Sequence, residues 1–179
     1  MASILNVDKI RATGSTTDAV TIDSSGNMAS PGHVVNYAHL DIRTTTSLTT
    51  TNTVTDLNGG SLNYTPKASG NKLIVTGVAH VFLAVDDTSW TAAHIQLVID
   101  GNVQSAAGAA TTYGTGIRDT GISGTNIRLM TYAQTIDEYT TTGTSQIVIK
   151  LQANRTQSGV TCSFNEYGKG SITVMEIAQ

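Results

Sequence analysis

The sequence has little charge, one cysteine and almost no proline. Lysine, arginine, aspartate and glutamate make up 13% of its 179 residues, about half the share of an ordinary soluble domain. The net charge is −3 and no basic stripe runs through the chain. Nucleic acid is therefore not expected as a partner, because neutralising phosphates needs clustered lysine and arginine. A single cysteine, Cys162, excludes an intrachain disulfide; it reads as a small inward-facing hydrophobe on a strand. No apolar run approaches the roughly 20 residues that cross a bilayer as a helix, and no membrane partner is expected. The start lacks a basic region followed by an apolar run of about seven or more, so no cleaved secretory signal is expected either. Aromatic residues are 5% of the chain, with one tryptophan and two phenylalanines. Ala-Leu-Glu-Lys spelling, the mark of helices, is nearly missing.

In place of charge the chain carries serine, asparagine, glycine and 30 threonines. The stiff, branched Cβ of threonine suits a half-buried pleated strand, so the fold class is all-β. The length allows one domain plus an appendage. A domain of about 140 residues buries roughly two-thirds of its unfolded surface and needs no covalent staple. No period of about 20–50 residues repeats, which excludes solenoids and propellers.

The opening "ILNVDKIRATGSTTDAVTIDSSGNM" spells two short alternating stretches around Thr-Gly-Ser-Thr, then a Ser-Ser-Gly-Asn turn. Its apolar residues Ile4, Val7, Ile10, Val20 and Ile22 are too few to cover anything alone, and a strand pair this short is marginal in water. Pro31-Gly32 breaks it from the remainder, giving an appendage at 1–32 and a domain at 33–179.

Beyond the break, "HVVNYAHLDIR" reads as a strand with Val35, Tyr37 and His39 on one face and Val34, Ala38, Leu40 and Ile42 on the other. "TTTSLTTTNTVTDLNGGSLNYTP" reads as short edge strands and turns. The strongest strand is "KLIVTGVAHVFLAVDD". Leu73, Val75, Val81, Leu83 and Val85 lie on one face, Ile74, Val78, His80 and Phe82 on the other, so it is covered on both sides. "AAHIQLVIDG" has one wet face and ends in an Asp100-Gly101 hairpin signal. The Gly-, Ala- and Thr-rich stretch "SAAGAATTYGTGIRDTGISGTN" reads as a long loop. Four strands follow, "NIRLMTYAQTI", "SQIVIKLQAN", "GVTCSFNEY" and "SITVMEIAQ", with short turns that suit an antiparallel sandwich with Greek-key connections.

The run "KLIVTGVAHVFLA" then "HIQLVIDGN", the pair "NIRLMTYAQTI" and "SQIVIKLQAN" joined by "TTTGT", and the closing "GSITVMEIAQ" resemble the jelly roll of the tumour-necrosis-factor superfamily and the globular head of the first complement component. "TPKASGNKLIV" and "SITVMEI" are similar to domains of bacteriophage virion proteins, and the opening segment resembles the start of short phage fibre proteins. The likeness covers roughly residues 33–179. It implies a homotrimer in which the inner sheets of three copies meet at an axis, with Ile74, Val78, His80, Phe82, Tyr37 and His39 at the interface. The complement-type disulfide pattern is missing, and no acidic cluster carries over a calcium site. Three copies would bring three opening segments side by side, supplying partners that one chain lacks. Fully extended, about 30 residues reach at most ~100 Å, so the segment can serve as a stalk or lie flat on another virion protein.

The chemistry-bearing residues have plainer readings beside their sharper ones. His39 and His80 read as packed, hydrogen-bonded histidines; three imidazoles around an axial ion is the sharper reading, and it needs nitrogens within ~2.1 Å of the metal. Asp86 and Asp87 beside Trp90 read as an ordinary turn, since calcium requires six to eight oxygens. Trp90 either covers the end of the sandwich or stacks on a sugar. Gly114, Gly116 and Gly121 lack the spacing and context of a dinucleotide loop, but Tyr113, Arg118 and Asp119 there form the best exposed trio for a neighbour or a glycan. No nucleophile elbow appears. The chain thus reads as a non-enzymatic structural component of a bacteriophage virion, made in the host cytoplasm, with no metal and no cofactor. The reading favoured is a trimeric capsid decoration or head-fibre protein anchored to other virion proteins by residues 1–32, because the chain is small and begins at Met1. A short tail fibre or receptor-binding tip recognising host surface polysaccharide stays open as the alternative.

Overall fold

The structure is a computed structural model that describes residues 9–10, 20–22, 28–85, 91–104, 116–119, 127–155 and 160–179. These residues hold fourteen strands and no helix, as the threonine-rich, charge-poor composition predicts. Three short strands, β1 (Lys9–Ile10), β2 (Val20–Ile22) and β3 (Met28–Ala29), form an antiparallel sheet of their own. The others are β4 (Val34–Ile42), β5 (Thr46–Leu48), β6 (Thr55–Tyr64), β7 (Lys72–Val85), β8 (Thr91–Ile99) and β9 (Asn102–Val103), then β10 (Gly116–Asp119), β11 (Ile127–Thr140), β12 (Ile147–Arg155), β13 (Val160–Phe164) and β14 (Gly170–Ile177).

Pairing among β4–β14 is nested. β4 pairs with β14, β5 with β13, β6 with β12, β7 with β11 and β8 with β10, all antiparallel. The chain therefore runs as one long hairpin whose far end is the β8–β9 turn, where Asp100 and Gly101 take φ of 51° and 78° as a primed two-residue turn requires. Lateral pairs of β7 with β14 and β13, and of β8 with β12, gather the hairpin into two sheets. One has the order β4-β14-β7-β13-β5 with β11 on the far side of β7; the other runs β10-β8-β12-β6 with β9 beside β8. Together they make an antiparallel β-sandwich.

Its core is built by alternation. Leu73, Val75, Ala79, Val81 and Leu83 of β7 meet Ile95, Leu97 and Ile99 of β8 and Ile149 and Leu151 of β12, all buried, and each fully buried aliphatic side chain contributes about 1.5–3 kcal/mol. Cys162 points inward beside Phe164. Gly77 lies where the sheets press closest: a Cβ there would sit 2.7 Å from Leu151 Cδ1 and 3.2 Å from Leu97 Cδ2.

Two expectations need correction. The Thr-rich passage does contain the short β5, but β6 is a ten-residue strand along β12. Its alternation is hidden by a bulge, since Asp56 pairs with Gln152 and Ser61 with Lys150, five steps against two. Leu57 and Tyr64 still reach the core, though the bulge throws them out of phase. The Gly- and Ala-rich loop is likewise not all loop, because β10 pairs along β8 from Gly116 to Asp119.

Candidate interaction face

Directly paired residues share a face, so the register fixes which side chains point away from the core. On the six-stranded sheet one outer row is Tyr37, Met175, Ile74 and Glu138; the next is His39, Thr173, Thr76 and Ile136; a third is Asp41, Ser171, Val78 and Gln134. Tyr132 beside His80 and Met130 beside Phe82 extend it. All six residues expected at an interface, Ile74, Val78, His80, Phe82, Tyr37 and His39, lie on this one face.

Their exposure differs from expectation. A place at an interface between copies would leave Phe82 and His80 open on a single chain, but Phe82 is only 8% exposed and His80 only 5%. The segment after β13 folds back over them. Tyr167 meets Phe82 edge-on at 5.1 Å and Tyr132 meets His80 at 5.2 Å. Gly168 presses on the His80 ring so closely that a Cβ would lie 2.8 Å from its Cγ. Asn165 closes the arrangement, its amide donating to the His80 carbonyl at 2.8 Å and its side-chain oxygen accepting from the His80 amide at 3.1 Å. The open surface belongs to the flanking strands: Tyr37 and Ile136 are 59% exposed, Met130 and Tyr132 58%. Sequence reading missed Met130, Tyr132, Ile136 and Tyr167. The first three fall on even-numbered residues of "NIRLMTYAQTI", one face of the strand, and were legible had that strand been split into faces.

Charge is confined to the margin. Lys72 pairs with Glu138 at 3.2 Å at one end. At the β4 edge Asp41 holds Arg43 at 2.8 Å and His39 at 3.1 Å, and these hydrogen bonds, Arg43's first, keep the Asp41 carboxyl below its usual range. His39 also bonds Thr173 at 3.0 Å. An uncharged centre rich in tyrosine and methionine inside a charged margin is the composition of protein interfaces. The outer face of the five-stranded sheet is different. There Asp56 holds Lys150 at 2.6 Å and Gln152 at 2.7 Å, and Gln96 bonds Gln152 at 2.8 Å. Lys150 first and Gln152 second lower the Asp56 pKa.

Of the attachment residues, Ile10 pairs with Val20 across β1–β2 and is exposed, and Ile22 pairs with Met28. Ile4 and Val7 lie outside the described residues, as do Asp86, Asp87, Trp90 and Tyr113. Arg118 and Asp119 lie on β10, opposite Ala92 and Thr91. Among the described residues no group of three or more His, Cys, Asp or Glu is placed to hold a metal ion. A cleft of about 220 Å³ at one end of the sandwich is lined by Pro66, Asp100, Tyr139, Thr142 and Gln146 among others. Among the described residues that line it Asp100 is the one acid, whereas glycan hydrolysis uses a pair.

Compared with known proteins, the sequence matches no family model and no curated protein. Among solved structures the chain is similar to one described as "Structure of infectious bursal disease virus Gx strain", with 14% identity and a TM-score of 0.35. That similarity covers 96% of this chain and 42% of the other, so this chain spans less than half the length of its structural neighbour.

Proposed function

We propose that the chain is a non-enzymatic structural protein of a bacteriophage virion. In this reading it is a homotrimer with a jelly-roll head at 33–179 and an attachment segment at 1–32. The observation that carries the proposal is the contrast between the two outer faces. One is laced by Asp56, Lys150, Gln152 and Gln96; the other exposes Tyr37, Met130, Tyr132 and Ile136 around an uncharged centre. Soluble monomers seldom keep such a patch open, and three copies meeting on it would cover it. The nested pairing supports the jelly roll. Counting the eight strands β4, β6, β7, β8, β10, β11, β12 and β14 in chain order, the sheets read 1-8-3-6 and 2-7-4-5. That order, two Greek keys in two sheets, recurs in capsid and lectin domains. The phage assignment rests on the resemblance of "TPKASGNKLIV", "SITVMEI" and the opening segment.

Cross-linking of purified virions followed by mass spectrometry tests the proposal. Lys9, in the attachment segment, should link to a different virion protein, and that protein's position on capsid or tail separates decoration from fibre. A virion without this chain, or Lys9 links to copies of this chain alone, would contradict it.

A further inference from the structure

The last strand turns a carboxylate into the interior. Glu176 is 0% exposed, and every partner it has is a neutral donor. The Tyr64 hydroxyl and the Asn71 side-chain amide each donate at 2.7 Å, the Lys67 backbone amide at 2.8 Å and that of Ala68 at 3.3 Å. No lysine or arginine side chain pairs with it among the described residues. A buried carboxylate without a cation survives only where donors replace the lost water. Burial pushes its pKa up, but the bonds from Asn71, Tyr64, Lys67 and Ala68 outweigh burial and hold it below the ordinary 4.5. Asn36 on β4 and Leu73 on β7 are its register neighbours, and Lys67 meets it through the backbone alone. Tyr64 is thus the titratable side chain that faces it, and burial first, then Glu176, push Tyr64 far above its usual range.

What Glu176 holds is itself a joint. The loop at 65–71 is fastened on its other side to Thr141, whose hydroxyl donates to the Ala68 carbonyl at 2.6 Å and whose carbonyl accepts from the Gly70 amide at 2.8 Å. Two residues past Glu176, the Ala178 carbonyl accepts from the Gly32 amide at 2.7 Å, and the Ala178 amide donates to the His33 carbonyl at 2.9 Å. One carboxylate therefore stands between the loop that closes this end of the sandwich and the point where the chain arrives from residues 1–31.

We propose that Glu176 is an acid-released latch: its charged carboxylate holds the 65–71 loop and, through Ala178, the arriving chain at Gly32, and protonation unfastens both while the sheets stay paired. A protonated carboxyl would turn an O–H toward three amide donors that cannot accept it and one hydroxyl, Tyr64, that would have to reverse its own bond to do so, so the present set is not kept as it stands. The sign follows from linkage. A carboxyl harder to protonate folded than unfolded stabilises fully above 4.5, and that stabilisation is lost as pH falls below it. Assembly into a trimer is not required for this behaviour.

Hydrogen exchange of the full-length protein, corrected for intrinsic rates, reads the latch directly. Taking wild type from pH 7 to pH 3 should speed exchange on the order of tenfold or more at residues 67–71 and at 32–33, leaving Leu97 and Leu151 protected. Glu176→Gln should show the loosened pattern already at pH 7 and change little on acidification. Tyr64→Phe keeps the ring and removes one donor, so its release should occur at higher pH than in wild type; this arm carries the test if the glutamine variant fails to fold. Release at the same pH in Tyr64→Phe and wild type, or acid loosening spread evenly over both sheets, would overturn the proposal.

Discussion

Gly77 and Cys162 show how single residues set the terms of this sandwich. Leu151 and Leu97 occupy the space a side chain at Gly77 would need. Gly77→Val should therefore cost about 1–3 kcal/mol by overpacking, seen as a lower urea midpoint with an unchanged slope. Cys162 is the converse case, a reactive group silenced by position: burial pushes its thiol up to about 12, against a smaller opposing pull from Arg155. Iodoacetamide at pH 8 should leave folded protein unlabelled and label it fully in denaturant. Labelling of the folded protein at the denatured rate would show that Cys162 is not held inside. The inward thiol was legible, because an uncharged small residue in "GVTCSF" fits an inward strand position. The role of Glu176 was not, since a single carboxylate in an alternating strand reads as an outward one. Its donors arrive from Tyr64 to Asn71, over a hundred residues away, through contacts no local pattern encodes.

At the scale of elements, strands with unbroken periodicity were read well and those with interrupted alternation poorly. β7, β8, β12 and β14 stand where their periodicity places them, whereas β6 hid behind its bulge and β10 inside a glycine-rich stretch. The cover over β7 was also invisible. Nothing in "NEYGKG" announces that Tyr167 and Gly168 will lie on Phe82 and His80, because that contact depends on β13 and β14 both pairing with β7. This cover changes what a substitution at Phe82 reports. Phe82→Ala should cost about 3–5 kcal/mol in the single chain, since the ring is already buried there. Tyr167→Ala should cost less, and a double-mutant cycle should give a coupling of about 0.5–1.5 kcal/mol between them. A coupling of zero in chemical denaturation would mean that the 165–169 segment does not rest on β7 in solution.

At the scale of the whole molecule, a three-strand sheet at the start of the chain precedes a sandwich with one polar and one apolar outer face. Deleting residues 1–32 removes β1–β3 and the Gly32 bond to Ala178, but leaves every strand from β4 to β14. The shortened protein should keep its far-ultraviolet circular dichroism and lose binding to virions; retained binding would move attachment to the head. The most direct measurement of the central claim is the solution mass of the intact chain by light scattering coupled to size exclusion. Run beside it are Ile136→Asp on the apolar face and Val148→Asp, an exposed site on the other sheet. The account predicts about three times the 18.7 kDa chain mass for wild type and Val148→Asp, and a folded species of one chain mass for Ile136→Asp. Wild type eluting as a single 18.7 kDa chain would contradict it.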